Sequence, residues 1–352
     1  MPPSFPDRLT RLVEERRSQI VLGLDPDPAA LWPAALDPAA PEPAAPGPAA
    51  LERAALDLRP PESAAPDAAS AEPGAAAGAG GPATAPFAPD PSVAERTAAA
   101  VARHCRAAID AAGPACVAVK LQAACFERLG APGWSALAGA LGHARSRGLL
   151  AIVDGKRGDV PVTARAYAQA LVGETPGPYG AVPGLGADAF TANPLLGRDS
   201  LEPLVGAATA AGAGVFCLVR TSNPGAAELQ DEPAERPLHE SLARMVDELG
   251  ATAVGDCGLS AVGAVAGATR PELLGRLREL MPRAILLLPG VGAQGGDVAS
   301  LAAAFEPHPA AGLVTASRSI VDAHAGRGGD AAAAAAAAAE ELRAAAWSLA
   351  AG

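Results

Sequence analysis

Short apolar runs rich in Val, Ile and Leu alternate along this chain with longer segments rich in Ala, Leu, Arg and Glu. The runs predict eight strands, at residues 19–25, 116–122, 149–156, 187–193, 214–222, 261–269, 284–291 and 312–319. The longer segments predict a first helix at 6–17 and then helices at 93–112, 134–147, 163–171, 200–211, 237–249, 271–281, 298–305 and 330–350. This alternation is typical of βα units that build a parallel sheet, so the predicted fold class is α/β.

Eight strands, each followed by a helix, match the count of a single (β/α)8 TIM barrel. A doubly wound open sheet is the main alternative, and it usually carries a Gly-rich phosphate loop directly after its first strand. Here the first predicted strand ends in GLDPDP, which lacks the GxGxxG pattern. The sequence therefore favours the barrel.

One segment, residues 37–90, does not fit the alternation. The chain has 39 glycines and 35 prolines among 352 residues, about 21% where roughly 12% is average, and many lie in this segment. Its only large apolar side chains are Leu51, Leu58 and Phe87, too few to offset the entropy of ordering it. We predict a disordered Ala/Pro-rich insert at 37–90, with residues 1–36 and 91–352 forming the barrel domain.

Charge and composition exclude several classes of protein. The net charge of −11 argues against a nucleic-acid partner, which needs a basic face. No apolar run has the length of a membrane span, and the first 19 residues lack the apolar region of a signal peptide, so the expected location is cytoplasmic.

Five cysteines without a CxxC pair indicate buried thiols in a reducing compartment, and the five histidines lack ligand spacing, so we expect no metal.

Polar side chains stand at the carboxyl end of nearly every predicted strand. In a barrel these ends meet at one mouth, so residues far apart in sequence form one site. The set comprises Asp25, Lys120, Asp154 with Lys156, Asn193, Thr221 with Ser222, Gln294 and Arg318.

The segment VDGKRGDV, residues 153–160, carries the densest set of charges. Asp154 and Lys156 are two residues apart and project from the same side of an extended chain, and Asp159 follows in the loop. A lysine between carboxylates keeps its proton and can donate it to developing negative charge. Lys120 could hold the other side of Asp154. The alternative is a solvated turn with paired surface charges.

These motifs, taken in order, resemble orotidine 5′-phosphate decarboxylase. The resemblance rests on Asp25 in GLDPDP, Lys120 in VAVKLQ, the DxKxxD of residues 154–159, and the late PGVGAQGGD and ASRSI. The segments AVKLQAACFERLG, DGKRGDV, FTANPLLGRDSLEPL and VRTSNPGA resemble the bacterial type 2 subfamily. The DxKxxD motif alone is shared with related sugar-phosphate barrels; all the segments in this order are much more specific. The resemblance covers almost the whole chain except residues 37–90 and the terminal tail.

The resemblance implies conversion of orotidine 5′-monophosphate to UMP, without a cofactor, through an Asp-Lys-Asp charge array. Lys156 would donate a proton to C6 of the pyrimidine, Asp154 would lie near the departing carboxylate, and Lys120 would complete the array. The resemblance also implies a homodimer in which Asp159 and Thr163 reach the partner's site. The remaining implied roles concern substrate binding: Asp25 at a ribose hydroxyl, Ser222 at the pyrimidine, and Gln294 and Arg318 at the phosphate.

Each binding residue also has a simpler interpretation. Asp25 could be a turn acid before Pro26, Lys120 a strand-end lysine that reaches solvent, and Arg318 one half of a surface ion pair. Ser222 could belong only to the turn that follows it, and the glycines of PGVGAQGG to an ordinary loop instead of one whose N–H groups approach a phosphate. Two other functions stay open: a metal-dependent synthase or decarboxylase of the same superfamily, and a catalytically silent UMP-binding protein.

Overall fold

The computed structural model describes residues 3–36 and 91–350. Within them, eight parallel strands close into a barrel in the order β1-β10-β9-β8-β7-β6-β3-β2, with β2 paired again to β1. These strands are β1 (Ile20–Leu24), β2 (Ala118–Gln122), β3 (Leu150–Arg157), β6 (Ala189–Ala192), β7 (Gly214–Arg220), β8 (Ser260–Ala266), β9 (Ala284–Pro289) and β10 (Gly312–Ala316). Closure confirms the predicted TIM barrel and excludes the open sheet. The predicted insert, residues 37–90, lies outside the described residues.

Helices surround the barrel, and most lie where the sequence predicts them. The described α-helices are α1 (Phe5–Arg16), α2 (Val93–Ala112), α3 (Ala123–Glu127), α4 (Ala131–Ser146), α5 (Pro161–Leu171), α6 (Arg198–Ala210), α7 (Ala227–Gln230), α8 (Leu238–Gly250), α9 (Leu274–Leu280), α10 (Arg318–Val321), α11 (Ala323–Arg327) and α12 (Ala331–Ala350).

Three local features differ from the sequence prediction. The predicted helix at 298–305 is two 3-10 turns, Val298–Ser300 and Ala302–Phe305, and the first of them is capped by the Asp297 side chain. The last predicted strand ends at Ala316, and Arg318 begins α10 instead. A two-stranded antiparallel hairpin, β4 (Glu174–Thr175) and β5 (Val182–Pro183), follows α5 without having been predicted.

The amino-terminal end of the barrel is closed by α1. Phe5 and Phe216 are both fully buried and meet edge to face, with ring centroids 5.9 Å apart. A side chain at Gly214 would lie 2.6 Å from the Phe5 ring, so a larger residue there would displace the helix. With this end filled by apolar side chains, the opposite end is the open mouth.

Both segments that flank residues 37–90 are fixed by their own contacts. Trp32 is buried; its backbone N–H donates to His104 Nδ1 at 3.1 Å and its indole N–H to the Val321 carbonyl at 3.1 Å. On the other side, Ser92 and Glu95 form a capping box that begins α2. The chain therefore leaves and rejoins the barrel at defined points.

Within the described residues, no helix combines the length and the apolar character that crossing a membrane requires.

Candidate active site

A cavity of about 540 Å³ opens at the carboxyl ends of the barrel strands. Active sites of TIM barrels lie at this end, because the βα loops converge there. Seven of the nine predicted site residues line it: Asp25, Lys120, Asp154, Lys156, Ser222, Gln294 and Arg318.

Three of these residues form a compact group, which we call the Lys-Asp-Lys cluster: Lys120, Asp154 and Lys156. Lys120 Nζ donates to Asp154 Oδ2 at 2.7 Å, and Lys156 Nζ donates to Asp154 Oδ1 at 2.6 Å. The side chains of Lys120 and Asp154 are 8% and 9% exposed, whereas that of Lys156 is 44% exposed. The solvated-turn interpretation is therefore wrong for Asp154, and Lys120 is nearly buried instead of extending into solvent.

The two buried members of the cluster hold each other in the charged state. Burial would raise the pKa of Asp154, but the positive charges of Lys120 and Lys156 lower it to about 2. Burial would lower the pKa of Lys120, but the charges of Asp154 and Asp25 outweigh burial and raise it. Both groups thus stay ionised at neutral pH, with Asp154 facing the cavity as a carboxylate.

The end of β3 shapes the cluster in a way that spacing alone does not predict. Lys156 has a φ of 48°, in the left-handed region that side chains other than glycine rarely adopt. Asp154 and Lys156 therefore do not lie on an ordinary extended strand, although the two side chains do meet.

Asp25 follows β1 and faces the cluster. Its carboxylate lies 3.8 Å from Lys120 Nζ, and its side chain is 42% exposed. The neighbouring turn is instead held by Asp27, whose carboxylate accepts the Ala29 N–H at 3.2 Å. Asp25 is thus positioned at the cavity and is not the acid that stabilises the turn.

Gln294 lies in the loop after β9, and Arg318 is the first residue of α10, which follows β10. Arg318 is exposed and lines the cavity, and among the described residues its guanidinium makes no ion pair, so the surface-ion-pair interpretation finds no support. The N–H groups of Gly292, Gly295 and Gly296 donate to carbonyls of their own loop. These glycines therefore shape the turn, and the expectation that N–H groups of this loop approach an anion stays a prediction.

Ser222 lies in the turn after β7, which is fixed by an ion pair between buried Arg220 and half-buried Asp231. Arg220 donates to Asp231 through Nε at 2.8 Å and Nη2 at 3.0 Å, and Arg270 reaches the same carboxylate at 3.2 Å. The hydrogen bonds from Arg220 lower the pKa of Asp231. The loop that carries Ser222 is therefore anchored to the strand that precedes it.

Asp159 and Thr163 are the two predicted site residues that do not line this cavity. Asp159 accepts the N–H of Val160 at 2.7 Å, and Thr163 is exposed in the first turn of α5. The single chain does not bring them to its own site.

Two features of the site were missed by sequence reasoning. Thr191, on β6, is 1% exposed and hydrogen-bonds to Asp154, a contact that depends on strand register and leaves no signal in a motif. The second is readable from the sequence: Lys120 and Lys156 are the only two lysines in the chain, beside 25 arginines. The site thus uses the only two amine side chains that the protein has.

No three His, Cys, Asp or Glu side chains among residues 3–36 and 91–350 are grouped so that they could hold a metal ion. All five cysteines lie in this part of the chain and are unpaired. Burial raises the pKa of Cys105, Cys116 and Cys217 to about 12, which agrees with inert thiols.

Comparison with protein families identifies a match over most of the chain. Residues 95–340 match the model of the orotidine 5′-phosphate decarboxylase / HUMPS family. Orotidine 5′-phosphate decarboxylase of Rhodopirellula baltica is 44% identical over 234 residues, which are 65% of this chain and 76% of that protein.

Solved structures give the same result. The structure of Leishmania donovani OMP decarboxylase has a TM-score of 0.62 and 26% sequence identity, and the match covers 97% of this chain and 99% of that one. Leishmania donovani UMP synthase matches with the same TM-score and identity, over 98% of this chain and 57% of that longer one. The fold is thus common to this chain and these proteins.

Proposed function

The chain belongs to the orotidine 5′-phosphate decarboxylase / HUMPS family, and we propose that it decarboxylates orotidine 5′-monophosphate to UMP, the last step of de novo pyrimidine synthesis. One structural observation supports this proposal most directly. The only two lysines of the chain flank a buried carboxylate at the mouth of the barrel. The bacterial type 2 assignment stays a prediction.

In the proposed reaction, the bond between C6 and the substrate carboxylate breaks and carbon dioxide leaves. The electron pair of that bond stays on C6, and Lys156 Nζ donates a proton to it, giving UMP and a neutral amine that water reprotonates. Asp154, held ionised by two lysines, faces the departing carboxylate. Repulsion between the two negative charges is relieved as carbon dioxide leaves, and the ammonium groups stabilise the charge that develops on C6.

The substrate-binding roles are those that the family resemblance implies, and the position of all four residues around the cavity supports them. We propose that Asp25 binds a ribose hydroxyl, that Ser222 contacts the pyrimidine, and that Gln294 and Arg318 bind the phosphate. Arg318 suits this role because its guanidinium is a permanent cation with a planar set of donors, and no carboxylate of residues 3–36 and 91–350 pairs with it.

We also propose a homodimer in which Asp159 and Thr163 complete the partner's site. Support comes from their position beside exposed apolar side chains that a second copy could cover. These side chains lie around α5, on the hairpin and in the loop after β6: Val160, Val162, Tyr179, Val182, Leu195 and Leu196.

The proposed domain limits are residues 1–36 and 91–352, and the proposed location is cytoplasmic.

A direct assay tests the function. Purified protein should consume orotidylate, followed by its absorbance, without added metal or cofactor. Lys156→Ala should abolish turnover. Lys156→Arg should also be inactive although the charge is kept, because a guanidinium does not release a proton near neutral pH. Both variants should still bind UMP and melt as folded proteins, and full activity in Lys156→Ala would reject the assignment.

Two controls separate the alternatives. Activity that disappears with EDTA would favour a metal-dependent synthase or decarboxylase. Failure to complement a uridine auxotroph, with UMP binding retained, would favour a catalytically silent binding protein. Neither alternative is favoured by the named relatives or by the acid and histidine side chains of the described residues.

A further inference from the structure

We propose that Thr191 is a positioning residue that sets both the backbone of Lys156 and the orientation of the Asp154 carboxylate. The inference rests on the proposed function, since it concerns the same site. Thr191 is fully buried on β6, directly beside the end of β3. Its role follows from strand register and from three hydrogen bonds.

The register between β3 and β6 is interrupted at this point. Val153 pairs with Phe190 and Arg157 pairs with Ala192, so three residues of β3, numbers 154–156, lie opposite the single residue Thr191. Such a bulge re-aims side chains and leaves backbone groups without their usual ladder partners. Here the bulge contains both Asp154 and Lys156.

The Thr191 hydroxyl takes the place of a ladder partner. The Lys156 N–H donates to Thr191 Oγ1 at 2.8 Å, and the same hydroxyl donates to Asp154 Oδ1 at 2.8 Å. Lys156 Nζ reaches that same oxygen at 2.6 Å. These three bonds close a ring from the backbone of Lys156, through Thr191 and Asp154, back to the ammonium of Lys156.

The ring accounts for two features that would otherwise be unfavourable. Lys156 occupies the left-handed region, which a non-glycine residue holds only when its surroundings enforce it. Asp154 is almost fully buried and accepts a hydrogen bond from a neutral donor in addition to the two ammonium groups. Thr191 is 1% exposed although it lines the cavity, so few water contacts could replace either bond. The proton donor and the carboxylate are thus aimed by one side chain that need not touch the substrate.

The test compares two substitutions at this position. Thr191→Val keeps the shape and removes the hydroxyl, and Thr191→Ser keeps the hydroxyl and removes a methyl group. Thr191→Val should lower kcat roughly 10- to 100-fold, since small displacements of reacting groups have effects of that size. KM and UMP affinity should stay close to the wild-type values, and Thr191→Ser should restore most of kcat. A crystal structure of Thr191→Val should show Lys156 outside the left-handed region.

Several outcomes would overturn the proposal. These are a wild-type kcat in Thr191→Val, a loss in Thr191→Ser as large as in Thr191→Val, or a change confined to UMP affinity. If Thr191→Val does not fold, Thr191→Ala carries the same expectations. Thr315→Val is the matched control for stability, because Thr315 is a buried strand threonine whose hydroxyl has no partner among the described residues. Inactive wild-type protein would instead reject the proposed function itself.

Discussion

Asp154 is the residue on which the charges of the site depend. It accepts hydrogen bonds from Lys120, Lys156 and Thr191 while almost fully buried. A buried carboxylate is unfavourable unless it is paired and hydrogen-bonded, and here each ammonium contacts a different oxygen. The same contacts that stabilise the carboxylate keep it charged where the substrate's own carboxylate is proposed to lie.

The pKa of Asp154 leads to a prediction about stability. Its folded-state pKa of about 2 lies below the ordinary value of 3.8, so the ionised form contributes stability above pH 4 and loses it as the pH falls toward 2. The contribution is roughly 2 kcal/mol at neutral pH. The difference in unfolding free energy between the wild type and Asp154→Asn should therefore be constant from about pH 5 to 8 and shrink below about pH 4.

Urea unfolding at a series of pH values measures this difference. Glu202→Gln, at an exposed carboxylate without an ion pair among the described residues, controls for the loss of one negative charge. A gap between wild type and Asp154→Asn that stays unchanged down to pH 2 would contradict the assigned charge state.

Among the elements, the loop after β7 shows how a binding residue is held in place. Arg220 is almost fully buried, and Asp231 lies 11 residues further along the chain, after the turn that contains Ser222. The pair closes this loop at its base. Because a buried cation without its carboxylate is strongly unfavourable, the loop is expected to stay in one conformation.

Asp231→Asn should loosen this loop. We expect KM for orotidylate to rise roughly tenfold with a smaller change in kcat, and the free energy of unfolding to fall by roughly 3 kcal/mol because Arg220 loses its charged partner. Steady-state kinetics and urea unfolding measure the two effects. Glu272→Gln is the control, since Glu272 is exposed and its only ion pair among the described residues is with Arg270. Equal effects of the two substitutions would show that the loop is not held by Asp231.

Elements with strong periodicity could be predicted from the sequence, and elements that depend on distant contacts could not. The barrel strands are short but distinct apolar runs, and α2 begins at the Ser92 capping signal. The bulge at 154–156 depends on the Thr191 hydroxyl of another strand, and the hairpin of β4 and β5 has only two residues in each strand. A barrel brings the carboxyl ends of its strands together, so the sequence could place Asp25, Lys120 and Arg318 at one site. The role of Thr191 could not be predicted, because it depends on the register between β3 and β6.

For the whole molecule, the contacts on both sides of residues 37–90 predict that this segment is dispensable. Trp32 and the Ser92 capping box fix its two flanks through contacts among the described residues. Replacing residues 37–90 with a short Gly/Ser linker should leave kcat, KM and the melting temperature close to wild type. A variant with the same residues in scrambled order controls for length. Loss of activity in both variants would show that the sequence of the segment is needed.

The proposed dimer predicts that inactive subunits restore each other. Lys156→Ala and Asp159→Ala should each have little activity alone. In a mixed dimer, one of the two sites receives an intact Lys156 from one subunit and an intact Asp159 from the other. Random mixing therefore should recover about a quarter of wild-type activity, for a two-fold symmetric dimer. Unfolding and refolding the two variants together, followed by assay, measures the recovery; no gain over the separate variants would place Asp159 outside the partner's site.

The restriction of lysine to two positions has a consequence for any chemistry directed at amines. Every other basic side chain in the protein, apart from histidine, is an arginine, so the cluster holds the only ε-amino groups open to acylation, carbamylation or Schiff-base formation. Lys120 is nearly inaccessible, which leaves Lys156 as the one reachable lysine. Apart from the amino terminus, a reagent that modifies one amine of this protein would therefore modify Lys156, the proposed proton donor. A ligand that occupies the cavity should slow this modification, so the rate of Lys156 modification would report how much of the protein has ligand bound.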